Sequence, residues 1–158
     1  MTAGTGPNSG RGYPIAKIVA AVIALVGLAD ALYLTVHHYT AEPVPCSVTG
    51  GCETVLTSSY AEAFGLPIAA FGAAAYFAAF SLAVVAAYQH RVAWSVFGIL
   101  ATLMAAFSVW LVFLQAVVLN AFCQFCLISA ATSIALFMVW AGAAALACVT
   151  GSRPGSNK

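Results

Sequence analysis

Val117-Val118-Leu119-Asn120-Ala121-Phe122-Cys123-Gln124-Phe125-Cys126 joins two long apolar stretches, 92–119 and 122–149, with almost nothing polar between them. Each stretch exceeds the roughly 20 residues that cross a ~30 Å hydrocarbon core. A connection as short as Asn120-Ala121 leaves the second stretch only one course, back antiparallel to the first. The segment therefore predicts a transmembrane helical hairpin with a C-x-x-C at the start of its second arm.

Two further apolar stretches, 18–40 and 66–88, precede this hairpin. No water reaches backbone groups inside a bilayer, so all four stretches must be helices. A chain of 158 residues that is 63% hydrophobic and 6% charged does not have a soluble composition. It also carries no basic cluster, which argues against nucleic-acid binding. Lys17 and Ala29-Asp30-Ala31 imitate a signal peptide and its cleavage site. The apolar run continues through Leu32, Tyr33, Leu34 and Val36, longer than a signal core, so an uncleaved helix is predicted.

Charge placement orients the bundle. Arg11, Lys17, Arg91, Arg153 and Lys158 all fall on one face, whereas Glu42, Glu53, Glu62 and four of the cysteines fall on the other. By the positive-inside rule both termini are cytoplasmic and the cysteines face outward, in a multi-pass protein of the cell (inner) membrane. The predicted organisation is a disordered tail (1–14), a four-helix membrane domain (15–149) and a second tail (150–158).

The only sizeable loop spans 41–65. Pro43 and Pro45 keep its start extended, and Gly50-Gly51 supplies a flexible stretch before Cys52. Leu56, Tyr60 and Phe64 then recur every four residues, with Thr57, Ser58 and Glu62 between them. This pattern predicts a short amphipathic cap helix on the membrane surface, over the mouth of the bundle. Pro67 sits in the first turn of the next helix, where its missing N–H costs little. Gly72 with Ala75 suits close helix contact. The predicted fold is an all-α integral membrane protein, a four-transmembrane-helix bundle with that cap in the first outer loop.

The chemistry lies in two cysteine pairs. Cys123 and Cys126 stand at a helix start, where unpaired N–H groups and the positive end of the helix dipole stabilise a thiolate, the species active in disulfide exchange. Cys46 and Cys52, with five residues between them, lie in a glycine-containing loop that can close and rearrange a disulfide, on a face where disulfides persist. A mobile pair and a fixed pair suggest a relay between a soluble partner and a lipid-phase carrier. Two other readings stay open: static structural disulfides, and a four-thiolate metal site of the kind a small metal transporter would use. The loop spacing is longer than zinc sites favour, and a transporter would need ligands continuing across the membrane, where only Cys148 lies. No metal is expected. Cys148 reads as a small core residue.

Taken in order, the Gly27-Leu28 to His38-Tyr39 end of helix one, Cys46 and Cys52, Ser58, Phe64-Gly65-Leu66-Pro67 and the late C-x-x-C resemble the bacterial, disulfide-forming branch of the vitamin K epoxide reductase family, without a fused thioredoxin domain. The resemblance covers about residues 15–149. It implies a bundle around a quinone (ubiquinone, menaquinone or a vitamin K type) and a separate thioredoxin-like thiol oxidase as partner. It further implies that the partner enters at Cys46, that Cys52 attacks Cys123, and that Cys126 stands closest to the quinone, which does the hard redox chemistry. Ser58 matches the serine or threonine that the family places near the quinone site, with Tyr60 and Phe64 beside it in the cap. The vertebrate enzymes carry a tyrosine where this chain has Ala130, and an asparagine in helix two where none occurs between Leu66 and Tyr88. The resemblance therefore implies oxidation of protein thiols rather than epoxide reduction.

Asp30 lies about 10 Å below the His37 end of its helix at 1.5 Å per residue. An intramembrane carboxylate is a candidate proton path to the quinone. Gln115 is either interhelical glue or a quinone hydrogen-bond donor. His37 and His38 read as interfacial, about 100° apart around the helix and poorly placed to share a metal.

Overall fold

The computed structural model describes residues 12–40, 44–46, 50–88 and 91–151. Arg11, Glu42, Pro43, Arg153 and Lys158 lie outside the described residues, as do the predicted tails up to residue 11 and beyond 151. The elements are α1 (Gly12–Thr40), a short α2 (Cys52–Leu56), a two-stranded hairpin of β1 (Glu62–Ala63) and β2 (Leu66–Pro67), then α3 (Ile68–Ala87), α4 (Arg91–Leu114) and α5 (Gln124–Gly151). α4 runs on as a π-helical turn over Gln115–Leu119.

Four segments, 15–40, 68–87, 92–119 and 124–149, are long and apolar enough to span a bilayer. They close into a ring: α1 packs on α3 and α5, and α4 packs on α5 and α3. Most of their surface is apolar and faces outward, as lipid contact requires. The seam between α1 and α3 is built from small residues, with Ala20, Ala24 and Ala31 facing Ala73, Ala79 and Ala83. Lipid tails are as apolar as leucine, so backbone proximity rather than a hydrophobic gradient drives this packing. The tight point is Gly27, where a Cβ would run into the Tyr76 ring. Gly72 has room, since a Cβ there would meet only the Ala31 methyl at 3.8 Å. Cys148 is exposed on the outer surface of α5 rather than packed in the core.

The cap departs from the predicted helix over 53–64. α2 stops at Leu56 because the next hydroxyls bond back to main-chain carbonyls: Thr57 Oγ1 to Glu53 O at 2.7 Å and Ser58 Oγ to Val55 O at 2.7 Å. Such bonds offer the chain an alternative to continued helix. Beyond them β1 and β2 pair antiparallel, Glu62 with Pro67 and Ala63 with Leu66. Phe64 (φ 57°) and Gly65 (φ 77°) form the tip, both left-handed as a two-residue hairpin turn demands. The His38 Nε2 to Glu62 Oε1 contact at 3.4 Å ties the hairpin to the end of α1.

Candidate functional site

At one end of the bundle the loop pair and the helix pair meet. Cys46 and Cys52 form a disulfide with Cα atoms 6.0 Å apart. Cys52 is the first residue of α2 and fully buried, packed in one cluster with Val55 and the fully buried Cys123. Cys46 is only half-buried at the edge of that cluster, and the Gln124 amide reaches the carbonyl of its neighbour Pro45 at 3.4 Å. Gly51 makes the approach possible. A Cβ there would lie 2.9 Å from both the N and O of Phe122 and 3.1 Å from the Ala121 methyl. The Gly50-Gly51 pair is thus not simply a flexible stretch. Gly50 supplies a left-handed turn in open space, and Gly51 lets two main chains touch.

Cys123 precedes α5, and its carbonyl accepts the Leu127 N–H at 3.0 Å. Its own N–H, expected to be one of the unpaired groups of a helix start, is taken by Gln115 Oε1 at 2.9 Å. The Cys126 thiol donates to the Cys123 sulfur, helped by the Cys126 and Phe125 main-chain N–H groups, and draws the Cys123 thiol down to about 7. Burial and the Asp30 carboxylate oppose that shift. The expected thiolate stabilisation is present, then, but it comes from the first turn of α5 and from Cys126 rather than from the Cys123 amide.

Cys126 also borders open space. It lines an open-sided cavity of about 850 Å³ bounded by α1, α3, α4, α5 and the cap, whereas Cys52 and Cys123 do not. The walls are largely apolar, with Leu34, Ile68, Phe71, Met104, Phe107 and Leu111 among them. Polar groups line it at the end of α1 and the cap, where His37, His38, Glu53 and Glu62 stand, and again beside Cys126. Ser129 and Ser133 follow Cys126 at three- and seven-residue spacing on one face of α5, and both line the cavity. Across from them the buried Tyr76 hydroxyl lies 2.6 Å from Ser129 O, which accepts from it, and 2.7 Å from both Thr132 Oγ1 and Ser133 Oγ. A phenol therefore stands at the level of Ala130, supplied from α3. Tyr76→Phe should destabilise the bundle by about 1–3 kcal/mol, because it leaves the buried Ser133 hydroxyl without the phenol it bonds; thermal unfolding in detergent reads this directly.

The remaining predicted residues are distributed around this arrangement. Ser58 and Tyr60 line the cavity from the cap. Phe64 does not; it is 99% exposed at the hairpin tip, because the chain turns there instead of continuing as helix. Asp30 has Oδ2 buried without a hydrogen-bond partner among the described residues. One turn above it, Tyr33 meets the Phe125 ring at 5.2 Å between centroids, so this face of α1 looks toward the C-x-x-C. Gln115 does not bridge separate spans; it bonds within the α4–α5 turn and lines the cavity. Among the described residues, no group of three His, Cys, Asp or Glu side chains could hold a metal ion. Tyr76, Ser129, Ser133 and the role of Gly51 escaped the sequence reading. The serine spacing from Cys126 was a readable signal.

The family model described as Vitamin K epoxide reductase family matches residues 18–141, most of the chain and all four cysteines of the site. The chain belongs to the vitamin K epoxide reductase family. As a vitamin K epoxide reductase family member it is a multi-pass membrane thiol–disulfide oxidoreductase. Family proteins use quinones, and the cavity fits such a group in size, in apolar walls and in opening onto a single cysteine. Ser58, Tyr60, Ser129 and Tyr76 are the residues that would hold it.

Proposed function

We propose that the protein oxidises a separate thioredoxin-like disulfide-forming partner on the extracytoplasmic side of the membrane and delivers the electron pair to a quinone. The observation that carries this reading is the division of labour among the sulfurs: Cys46 at the edge, Cys52 against Cys123 in the interior, Cys126 at the cavity. A partner thiolate attacks the Cys46 sulfur, the accessible one, and Cys52 leaves as thiolate. The second partner thiol then displaces Cys46 and the partner departs oxidised. Cys52 attacks Cys123, the Cys123–Cys126 bond breaks, and Cys126 becomes the thiolate. Cys46 finally displaces Cys123 from Cys52 and restores the loop disulfide.

A quinone supplies a two-electron, two-proton acceptor, and its reduction restores the Cys123–Cys126 disulfide. Ser129, with Tyr76 bonded behind it, is placed to hydrogen-bond an occupant beside Cys126. We assign Asp30 the proton that leaves with the inner thiols, since its carboxylate acts electrostatically on Cys123 and one of its oxygens is buried without a partner among the described residues. Lys17 near the opposite end of α1 accords with both termini lying in the cytoplasm.

The test is the pairing of substrate with variant. Cys46→Ala should block turnover with a reduced thioredoxin-like protein yet retain, within about tenfold, quinone reduction by a small apolar dithiol that reaches Cys126 through the cavity. Thiol loss and quinol formation are followed together in proteoliposomes. Equal loss with both reductants would put the entry point elsewhere.

A further inference from the structure

Gln115 is 2% exposed and sits where α4 gives way to its π-helical turn. Its side chain and main chain converge on the short link to α5. Oε1 accepts the Cys123 N–H at 2.9 Å, while its carbonyl accepts the N–H of Asn120 and, at 3.2 Å, that of Ala121. Asn120 at φ 47° turns the chain back so that Cys123, eight positions after Gln115, comes within reach of the Gln115 side chain. On its other side Cys123 is held through the Leu127 N–H. The main chain of Cys123 is therefore fixed before and after its Cα, which leaves rotation about Cα–Cβ as the freedom of its sulfur. Buried Cys52 packs in one cluster with Cys123, and the thiol of Cys126 donates to the Cys123 sulfur.

We propose that Gln115 is a positioning residue for the relay: it clamps the Cys123 main chain so that one side-chain rotation moves the sulfur between Cys52 and Cys126. This rests on the relay described above and deepens it. Disulfide exchange needs the attacking, central and leaving sulfurs in line, and a fixed pivot removes backbone motion from that alignment. The π-helical turn is the local irregularity that brings Gln115 to this point, and such turns recur at functional sites.

The experiment isolates the Cys52–Cys123 bond. In a Cys46→Ala, Cys126→Ala protein, diamide accepts two electrons and two protons from Cys52 and Cys123 as their disulfide forms, and a gel-mobility assay gives the rate. Adding Gln115→Leu should slow closure by about 10²-fold, the scale of a 1 Å misplacement. Gln115→Glu keeps an acceptor oxygen at the same reach and should close within a few-fold of the parent. In otherwise native protein, Gln115→Leu should leave closure of Cys46–Cys52 unchanged, which a general loosening would not. Parent-like closure with Gln115→Leu, or equal slowing by Gln115→Glu, overturns the proposal. If the leucine variant does not accumulate, Gln115→Asn decides, since its shorter side chain cannot reach and parent-like closure would refute the clamp. Neither quinone nor partner enters this assay, so its failure is separable from failure of the oxidase reading.

Discussion

Cys126→Ala should lower quinone reduction by on the order of 10³-fold or more, the scale on which removal of a covalent nucleophile acts. It should nevertheless leave the Cys46–Cys52 disulfide competent for a single stoichiometric oxidation of the partner. Both halves follow from where the sulfurs lie. Cys126 is the one of the four that opens onto the cavity, so its loss removes the contact between the thiol chain and the acceptor. The loop disulfide is formed independently of it and keeps its accessible sulfur at Cys46. With no inner disulfide to take up the electron pair, Cys46, Cys52 and Cys123 should all remain thiols after that one turnover. Stopped-flow quinol absorbance gives the first effect; quenching with an alkylating reagent and counting blocked thiols gives the second. A short-chain quinone analogue should also protect Cys126 of the native protein from a small apolar alkylating reagent. Steady quinone reduction by the alanine variant would mean that the acceptor meets another sulfur.

Much of this was legible in the sequence because membrane burial obeys simple rules. The four spans follow from apolar length alone, and the extreme shortness of Asn120-Ala121 already required that α4 and α5 form a hairpin. The pairing of the two cysteine sets at one end of the bundle follows from the same topology. The cap was less legible. Leu56, Tyr60 and Phe64 have helical spacing, but Thr57 and Ser58 turn their hydroxyls onto the main chain, and Phe64-Gly65 accepts a left-handed turn. A four-residue period over twelve residues could not weigh those local bonds against the amphipathic face. The polar side of the cavity was hidden for another reason. Tyr76 sits in a run of alanines, and its significance depends on Ser129 and Ser133, more than fifty residues away on a helix whose rotation the sequence does not specify. Gln115 illustrates the same gap, since a bond from Oε1 to an amide beyond a π-helical turn requires an irregularity that apolar periodicity does not encode.

Gly51→Ala should slow transfer between the two cysteine pairs by about 10²-fold, a single methyl acting through position rather than chemistry. The Cβ would stand 2.9 Å from two main-chain atoms of Phe122, closer than real side chains approach, and a backbone cannot swing aside as a flexible side chain would. Either α2 retreats or the segment before Cys123 does, and in both cases Cys52 leaves the packed contact with Cys123. Overpacking of this kind costs about 1–3 kcal/mol, so the bundle should still fold on its four long spans. Gly50→Ala is the matching control. It asks a left-handed turn of an alanine, at about 1–2 kcal/mol, but its Cβ meets nothing within 4 Å. The two variants should therefore lose similar stability and differ sharply in exchange. The readout is partner-driven reduction of Cys123 and Cys126 in a single turnover. Reduction of the inner pair by a small apolar dithiol entering through the cavity should stay near the native rate in both. Equal transfer rates in the two variants would show that close approach at Gly51 does not govern the passage of electrons from loop to helix.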